Sequence, residues 1–82
     1  MAKPKPVYTD DARERRIEGE VVLEVTFDAT GTVRVHGVVE GLGFGLDQAA
    51  VAAAEEIEFK PARRDGRPVD HTATLRVVFR LA

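Results

Sequence analysis

The side chains that could carry out chemistry in this sequence are few and lie far apart. The chain has two histidines, His36 and His71, and contains no cysteine and no serine. A Ser or Cys nucleophile and a thiolate metal site are therefore excluded. Both histidines fall in stretches that alternate like β-strands, without an acidic cluster at the spacing of a metal site. We expect them to be ordinary strand residues, and we expect no metal ion or other cofactor.

Two other patterns suggest chemistry at first, but their surroundings favour a structural role. The acidic pairs Asp10-Asp11 and Glu55-Glu56 lie at the ends of predicted helices, where they face water. The stretch GLGFG, residues 41–45, has the glycines of a phosphate-binding loop but lacks the Lys-Ser/Thr of a Walker motif. It also follows a strand of an antiparallel hairpin, so a flexible turn into a helix explains it. The sequence predicts that the protein is not an enzyme.

Length and charge narrow the classes of function further. With 82 residues, the chain forms one domain at most. The net charge is −2 and the acidic and basic residues are interspersed, which argues against a nucleic-acid partner or a polybasic membrane patch. No apolar run approaches the roughly 20 residues of a membrane span. We expect a soluble interaction domain.

The elements that must position a site follow from the periodicity of the apolar residues. Thr9 is a good N-cap for a short helix from about Asp10 to Arg16, with Gly19 ending the helix or its exit turn. Residues 20–40 alternate as a β-hairpin that turns at residues 28–31. Gly37 in the return strand suggests either a bulge or a closely packed helix.

The second half of the chain predicts a helix, a connection and a final strand. An apolar stripe of mostly alanine runs from Leu46 to Ile57 at helical spacing, with Gly45 as its N-cap. A tight turn at Asp65-Gly66 lies in the connection. The final strand has an apolar face and an opposite face that carries Thr72, Thr74, Arg76, Val78 and Arg80.

These elements predict an α+β fold of order α-β-β-α-β. Two helices cover one face of a three-stranded, mainly antiparallel sheet, and the other face is solvated. A right-handed crossover most simply places the last strand beside the first, which leaves the last strand as an edge. On physical grounds alone, Arg76 and Arg80 either discourage edge-to-edge aggregation or help to hold a partner strand.

An ordered set of motifs gives the chain a resemblance to a known family, the C-terminal domain of TonB-type energy transducers. The resemblance covers residues 4 to 82 and departs from the pattern at Tyr8-Thr9, where many members have Tyr-Pro, and at Ile57-Glu58, where many have an aromatic-Arg pair. The motifs are P-x-Y at Pro6–Tyr8, AR at Ala12-Arg13, IEG-x-V at Ile17–Val21, F-D-x-x-G-x-V at Phe27–Val33, GLD-x-AA at Gly45–Ala50, F-x-PA at Phe59–Ala62, DG-x-PV at Asp65–Val69 and the closing VVF-x-L.

The resemblance implies a TonB/TolA C-terminal-like domain over residues 7–82. It is preceded at residues 1–6 by the end of a Pro-rich linker or by residues added at the start of the chain. The implied protein is periplasmic, anchored in the inner membrane and coupled there to proton-driven motor proteins. It transmits force to outer-membrane transporters by gripping their periplasmic peptide, the TonB box, which adds as a strand to the last β-strand. By position, that strand runs from His71 to Arg80, and we expect its contacts at His71, Thr72, Thr74, Arg76, Val78 and Arg80, with Tyr8 and Arg13 as accessory contacts.

Two other functions would use the same edge. The domain could be an envelope adaptor that acts as a monomer or as a strand-exchanged homodimer, or it could be the sensor tail of another membrane protein.

Overall fold

A computed structural model of the protein describes residues 6–81, and its elements follow the predicted order with one addition. The predicted linker, apart from Pro6, lies outside these residues. No helix within residues 6–81 is long and apolar enough to cross a membrane. The elements are α1 (Asp10–Glu14), β1 (Gly19–Phe27), β2 (Val33–Glu40), α2 (Leu46–Glu55), β3 (Ala62–Arg64), β4 (Arg67–Val69) and β5 (His71–Phe79).

The main sheet has the strand order β2-β1-β5, and both pairs are antiparallel. The last strand therefore lies beside the first and forms an edge, as the sequence predicts. β1 and β5 pair in an unbroken register from Gly19 opposite Phe79 to Phe27 opposite His71. This long, regular pairing fixes the faces of β5 residue by residue.

The core lies between the inner face of the sheet and the two helices. Leu23, Val25 and Val77 of the sheet are fully buried, as are Ala50 and Ala54 of α2. The alanine stripe thus packs on the sheet as predicted. A second prediction needs refinement, because the outer face of the central strand is not fully solvated. Val22 and Thr26 are also buried there, since β1 is the central strand and has a neighbouring strand on each side.

Helix α1 begins as predicted but ends by a different mechanism. The Thr9 hydroxyl accepts a hydrogen bond from the amide of Ala12 at 3.2 Å. The helix then ends at Glu14, and Arg16 adopts a left-handed conformation with φ of 54°. The Ile17 amide bonds back to the Ala12 carbonyl at 3.0 Å, which is a Schellman closure. The left-handed residue that closes the helix is therefore Arg16, and Gly19 is the first residue of β1.

The predicted turns form, and the structure decides the alternatives at Gly37. Asp28 accepts hydrogen bonds from the amide and the hydroxyl of Thr30, each at 2.8 Å, and Gly31 has a positive φ. The register of β2 slips between the partners of Glu24 and Val25, which makes His36 the extra residue of a bulge. A Cβ at Gly37 would meet nothing within 4 Å, so close helix packing at this glycine is wrong.

The addition to the predicted fold is a small hairpin. β3 and β4 pair across the Asp65-Gly66 turn, in which both residues have positive φ, at 52° and 78°. This is the backbone of the two-residue turn that favours Asp-Gly. The turn was predicted and the short strands were not, because three residues are too few to show a period.

Candidate protein-interaction edge

β5 provides an unpaired strand edge along one side of the sheet. It bonds β1 on one side, and among residues 6–81 no strand pairs with its other side. In such a strand, alternate residues direct their backbone N–H and C=O groups away from the sheet. An edge of this kind can pair with another chain unless it is blocked.

The inner face of β5 is closed at its C-terminal end. Val77 and Phe79 are buried, and the ring of Tyr8 meets that of Phe79 edge-on at 5.5 Å between centroids. The Tyr8 hydroxyl donates a 2.8 Å hydrogen bond to the carbonyl of Ile17. Burial raises the pKa of the Tyr8 phenol above its usual value, and the charge of Glu18 adds to the effect.

The predicted accessory contacts occupy different surroundings. Tyr8 is partly buried and packs against the hydrophobic core. Arg13 is exposed on α1. A role in partner binding stays a prediction for both residues.

The inner face is open at the N-terminal half of the strand. Ala73 and Leu75 are only partly buried, and beside them lies an open cavity of about 790 Å³, which we name the β5 groove. Its apolar lining includes Phe27 and Phe59, whose rings meet edge-on at 5.0 Å. His71, the first residue of the predicted site, also lines this groove, because it shares the inner face with Phe27.

The outer face of β5 carries the other predicted contact residues. Thr72 lies opposite Thr26 of β1, and their hydroxyl oxygens are 3.0 Å apart. The Thr26 hydroxyl is also 2.6 Å from Nε2 of His36 on β2. These three side chains form a polar row across all three strands, which gives the His36 ring a hydrogen-bond partner. Thr74 and Val78 are exposed farther along the same face.

The two arginines of β5 have different environments. Arg76 forms an ion pair with Glu20 of β1 at 3.0 Å. The two side chains are 67% and 43% exposed, so the pair contributes at most about 1 kcal/mol and can open. Arg80 is exposed just after β5 and has no ion pair within residues 6–81. Arg76 is thus held towards the sheet, whereas Arg80 is the freer cation at the edge.

A residue that the sequence analysis missed fixes the start of β5. Asp70 accepts a 2.8 Å hydrogen bond from the amide of Ala29 in the β1–β2 turn. The guanidinium of Arg34 lies 3.0 Å from Asp28 and 3.4 Å from Asp70, and so bridges the two carboxylates. No local pattern marks Asp70, since its partners lie about 40 residues earlier in the chain.

The chemistry available at this edge is that of protein–protein contact. Within the described residues, no group of three His, Asp or Glu side chains could hold a metal ion. What the site offers is a free backbone edge, an apolar groove on one face and a polar row on the other.

Comparison with known proteins gives matches over nearly the whole chain. Residues 4–81 match the family model described as Gram-negative bacterial TonB protein C-terminal. A curated relative, Protein TonB of Vibrio cholerae serotype O1, is 36% identical over 81 residues. The alignment covers 98% of this chain and 33% of the relative, so the chain spans about a third of that protein's length.

Proposed function

Because the chain belongs to the family of Gram-negative bacterial TonB protein C-terminal domains, we propose that it is the periplasmic, peptide-gripping module of a TonB-like energy transducer. It binds an extended transporter peptide, the TonB box, which adds to β5 as a fourth strand. An inner-membrane anchor upstream of the domain connects it to proton-driven motor proteins. The grip transmits force to outer-membrane transporters.

The observation that carries this proposal is the unpaired edge of β5. The strand is nine residues long and regularly paired with β1, so its free side is also regular. Strand addition obtains its affinity from main-chain hydrogen bonds and its specificity from pockets for alternate side chains. Backbone pairing tolerates many sequences, which suits a domain that serves several transporters.

The two departures from the family pattern, at Tyr8-Thr9 and at Ile57-Glu58, differ in their expected effect on peptide binding. Thr9 has φ of −75°, which a proline would also adopt, so the chain path of a Tyr-Pro pair is retained. Ile57 is buried in the core, while Glu58 lines the β5 groove. The second departure therefore changes the wall of the groove, and we expect it to alter which peptide is preferred.

The test is a titration of the ¹⁵N-labelled domain with nine-residue TonB-box peptides, matched to the length of β5. Amides of residues 71–79 should shift first and most strongly. Two further peptides carry N-methylated backbone amides, one at the odd positions and the other at the even positions, and only one of the two should bind. One peptide lacks the donors that bond β5, whereas the other lacks only donors that face away from β5. Shifts confined to the helices or to residues 28–31 would contradict strand addition.

The edge could equally pair with a second copy of the domain, as in the strand-exchanged adaptor considered above. In that case the same β5 amides would shift on raising the protein concentration without peptide. Sedimentation at several concentrations separates this function from peptide binding.

A further inference from the structure

The small hairpin of β3 and β4 is a positive region on a negatively charged domain. Between Lys60 and Arg67 the sequence has four basic residues and one acidic residue, Asp65, which gives this segment a formal charge of +3. The whole chain carries −2, so the residues outside the segment carry −5, the difference between the two values. The even mixture of charges over the whole chain, which argued against a polybasic patch, hides this cluster.

The hairpin lies at the end of the sheet opposite the N-terminal helix. β4 leads through Asp70 into His71, the first residue of β5, whereas Tyr8 packs on Phe79, the last residue of that strand. The nine residues of β5 separate the two ends by about 27 Å, at about 3.4 Å per residue. Residues 62–68 are all exposed. A tether upstream of Tyr8 therefore leaves the hairpin accessible at the far end.

Two arginines of the hairpin lie directly opposite each other. Arg64 and Arg67 flank the turn and are partners in the register of β3 and β4. Such partners share a face, with Cβ atoms about 4.5–5.5 Å apart, and like charges at these positions destabilise a strand pair. Neither arginine forms an ion pair within residues 6–81, not even with Asp65 between them. The described part of the chain thus supplies no counter-charge for this pair.

A phosphate group matches this arrangement of donors. Guanidinium groups present parallel N–H donors that fit phosphate oxygens bidentately, and a phosphate between Arg64 and Arg67 would replace their repulsion by two attractions. A protein partner normally requires a buried apolar or aromatic core. The exposed hairpin offers only Ala62 and Pro68 as apolar side chains. A surface of repeated phosphates therefore suits the hairpin better than a protein does.

We propose that the β3–β4 hairpin docks on an anionic phospholipid surface, with Arg64 and Arg67 holding one lipid phosphate between them. Arg63 lies on the other face, where its guanidinium donates to the Gly66 carbonyl at 3.2 Å, and it adds to the attraction together with Lys60. The inference goes beyond the proposed function, because it requires neither a peptide nor the β5 edge. The proposed periplasmic location, between two membranes, provides such a surface.

The test is co-sedimentation of the domain with mixed vesicles of phosphatidylglycerol and phosphatidylcholine, compared with pure phosphatidylcholine vesicles. Each cation at an anionic surface strengthens binding about fivefold. Arg64→Gln combined with Arg67→Gln should therefore weaken binding to the mixed vesicles about 25-fold. Lysine at both positions retains the charge and should cost less than about fivefold. No unaltered domain should sediment with pure phosphatidylcholine.

The matched control is Arg13→Gln combined with Arg16→Gln, which removes the same charge from exposed positions at the other end of the domain. It should weaken binding less than about threefold, because α1 lies beyond the Debye length of about 10 Å from the membrane. Circular dichroism checks the fold of each variant. If the double glutamine variant of the hairpin does not fold, Arg64→Gln alone should weaken binding about fivefold.

Four results would overturn the proposal. The first is no binding to the mixed vesicles, and the second is an equal loss in the hairpin variant and its control, which would mean that only net charge matters. The third is equal amide shifts of residues 62–69 with sodium phosphate at the same phosphate concentration, which would indicate a simple anion site. The fourth is the same shifts with polyglutamate, which would indicate an acidic protein. Peptide binding at β5 is measured without vesicles, so the two proposals can fail separately.

Discussion

Thr9 offers the sharpest test of how the N-terminal helix is held on the domain. Its hydroxyl accepts from the Ala12 amide at 3.2 Å and donates to the Phe44 carbonyl at 2.6 Å. It thus caps α1 and fastens the loop between β2 and α2 to that helix. The loop needs a fastening, because Gly43, Phe44 and Gly45 all have positive φ. Thr9→Val removes the hydroxyl and retains the methyl group that faces Gly45.

The magnitude follows from the two bonds. Loss of an N-cap costs about 0.5–2 kcal/mol. The bond to Phe44 contributes less than the usual net value of about 1 kcal/mol, because it is exposed and water can replace it. We expect Thr9→Val to lower the free energy of unfolding by about 1.5 kcal/mol and the melting temperature by about 6–12 °C for a domain of this size.

The assay is urea unfolding followed by far-UV circular dichroism, with Thr9→Ser as the matched control. Serine retains the oxygen and loses only the methyl group, so it should cost less than about 0.5 kcal/mol. The m-value should stay unchanged in both variants, since the surface exposed on unfolding is the same. If Thr9→Val is as stable as the unaltered chain, or if Ser and Val cost equal amounts, the hydroxyl does not hold α1 and this account of the helix is refuted.

Three further predictions concern other parts of the fold. Arg16→Gly should raise the free energy of unfolding in urea by up to about 1 kcal/mol, because glycine adopts the left-handed conformation without strain, whereas Arg16→Ala should not raise it. Equal effects of the two substitutions would mean that the lost charge, and not the backbone conformation, causes the change in stability. The amide of Thr30 lowers the pKa of Asp28 below its usual 3.8, and the Thr30 hydroxyl and Arg34 add to the effect, so Asp28 contributes stability above this pH that is lost as the pH falls through its folded pKa. The difference in stability between the unaltered domain and Asp28→Asn, measured by thermal unfolding from pH 2 to 6, should therefore become smaller towards acid. A difference that stays constant would argue against this linkage. Ala54→Leu should lower the free energy of unfolding by about 1–3 kcal/mol because Ala54 is fully buried against the sheet, whereas Ala52→Leu on the exposed side of α2 should have little effect. Similar losses for the two variants in urea unfolding would contradict the close packing of this helix.

Periodicity was enough to predict the framework of the domain. Alternation in β1 and β5 and the alanine stripe of α2 are each long enough to show their period, and the crossover rule then placed β5 at the edge. The turns at residues 28–31 and 65–66 were found because Asp and Gly mark them locally.

The features that escaped prediction depend on contacts between distant residues or on unusual backbone. Arg16 adopts a conformation typical of glycine, and no pattern signals this. Asp70 and Phe59 are recognised only when the fold brings them to Ala29 and Phe27. Alternation alone indicates that the contact residues expected on β5 are divided between the two faces of the sheet. It does not indicate the β5 groove, because the groove forms only when distant segments of the chain pack together.

The pairing of β1 with β5 also bears on the force transmission that we propose. Tyr8 meets the sheet at its Phe79 end, and the groove lies near the opposite end, beside His71. If the proposed peptide leaves past His71 and the proposed anchor lies upstream of Tyr8, the pull between them runs almost parallel to the strands. The hydrogen bonds along the nine residues of β5 are then sheared together and share the load, whereas a pull across the sheet would open them one after another.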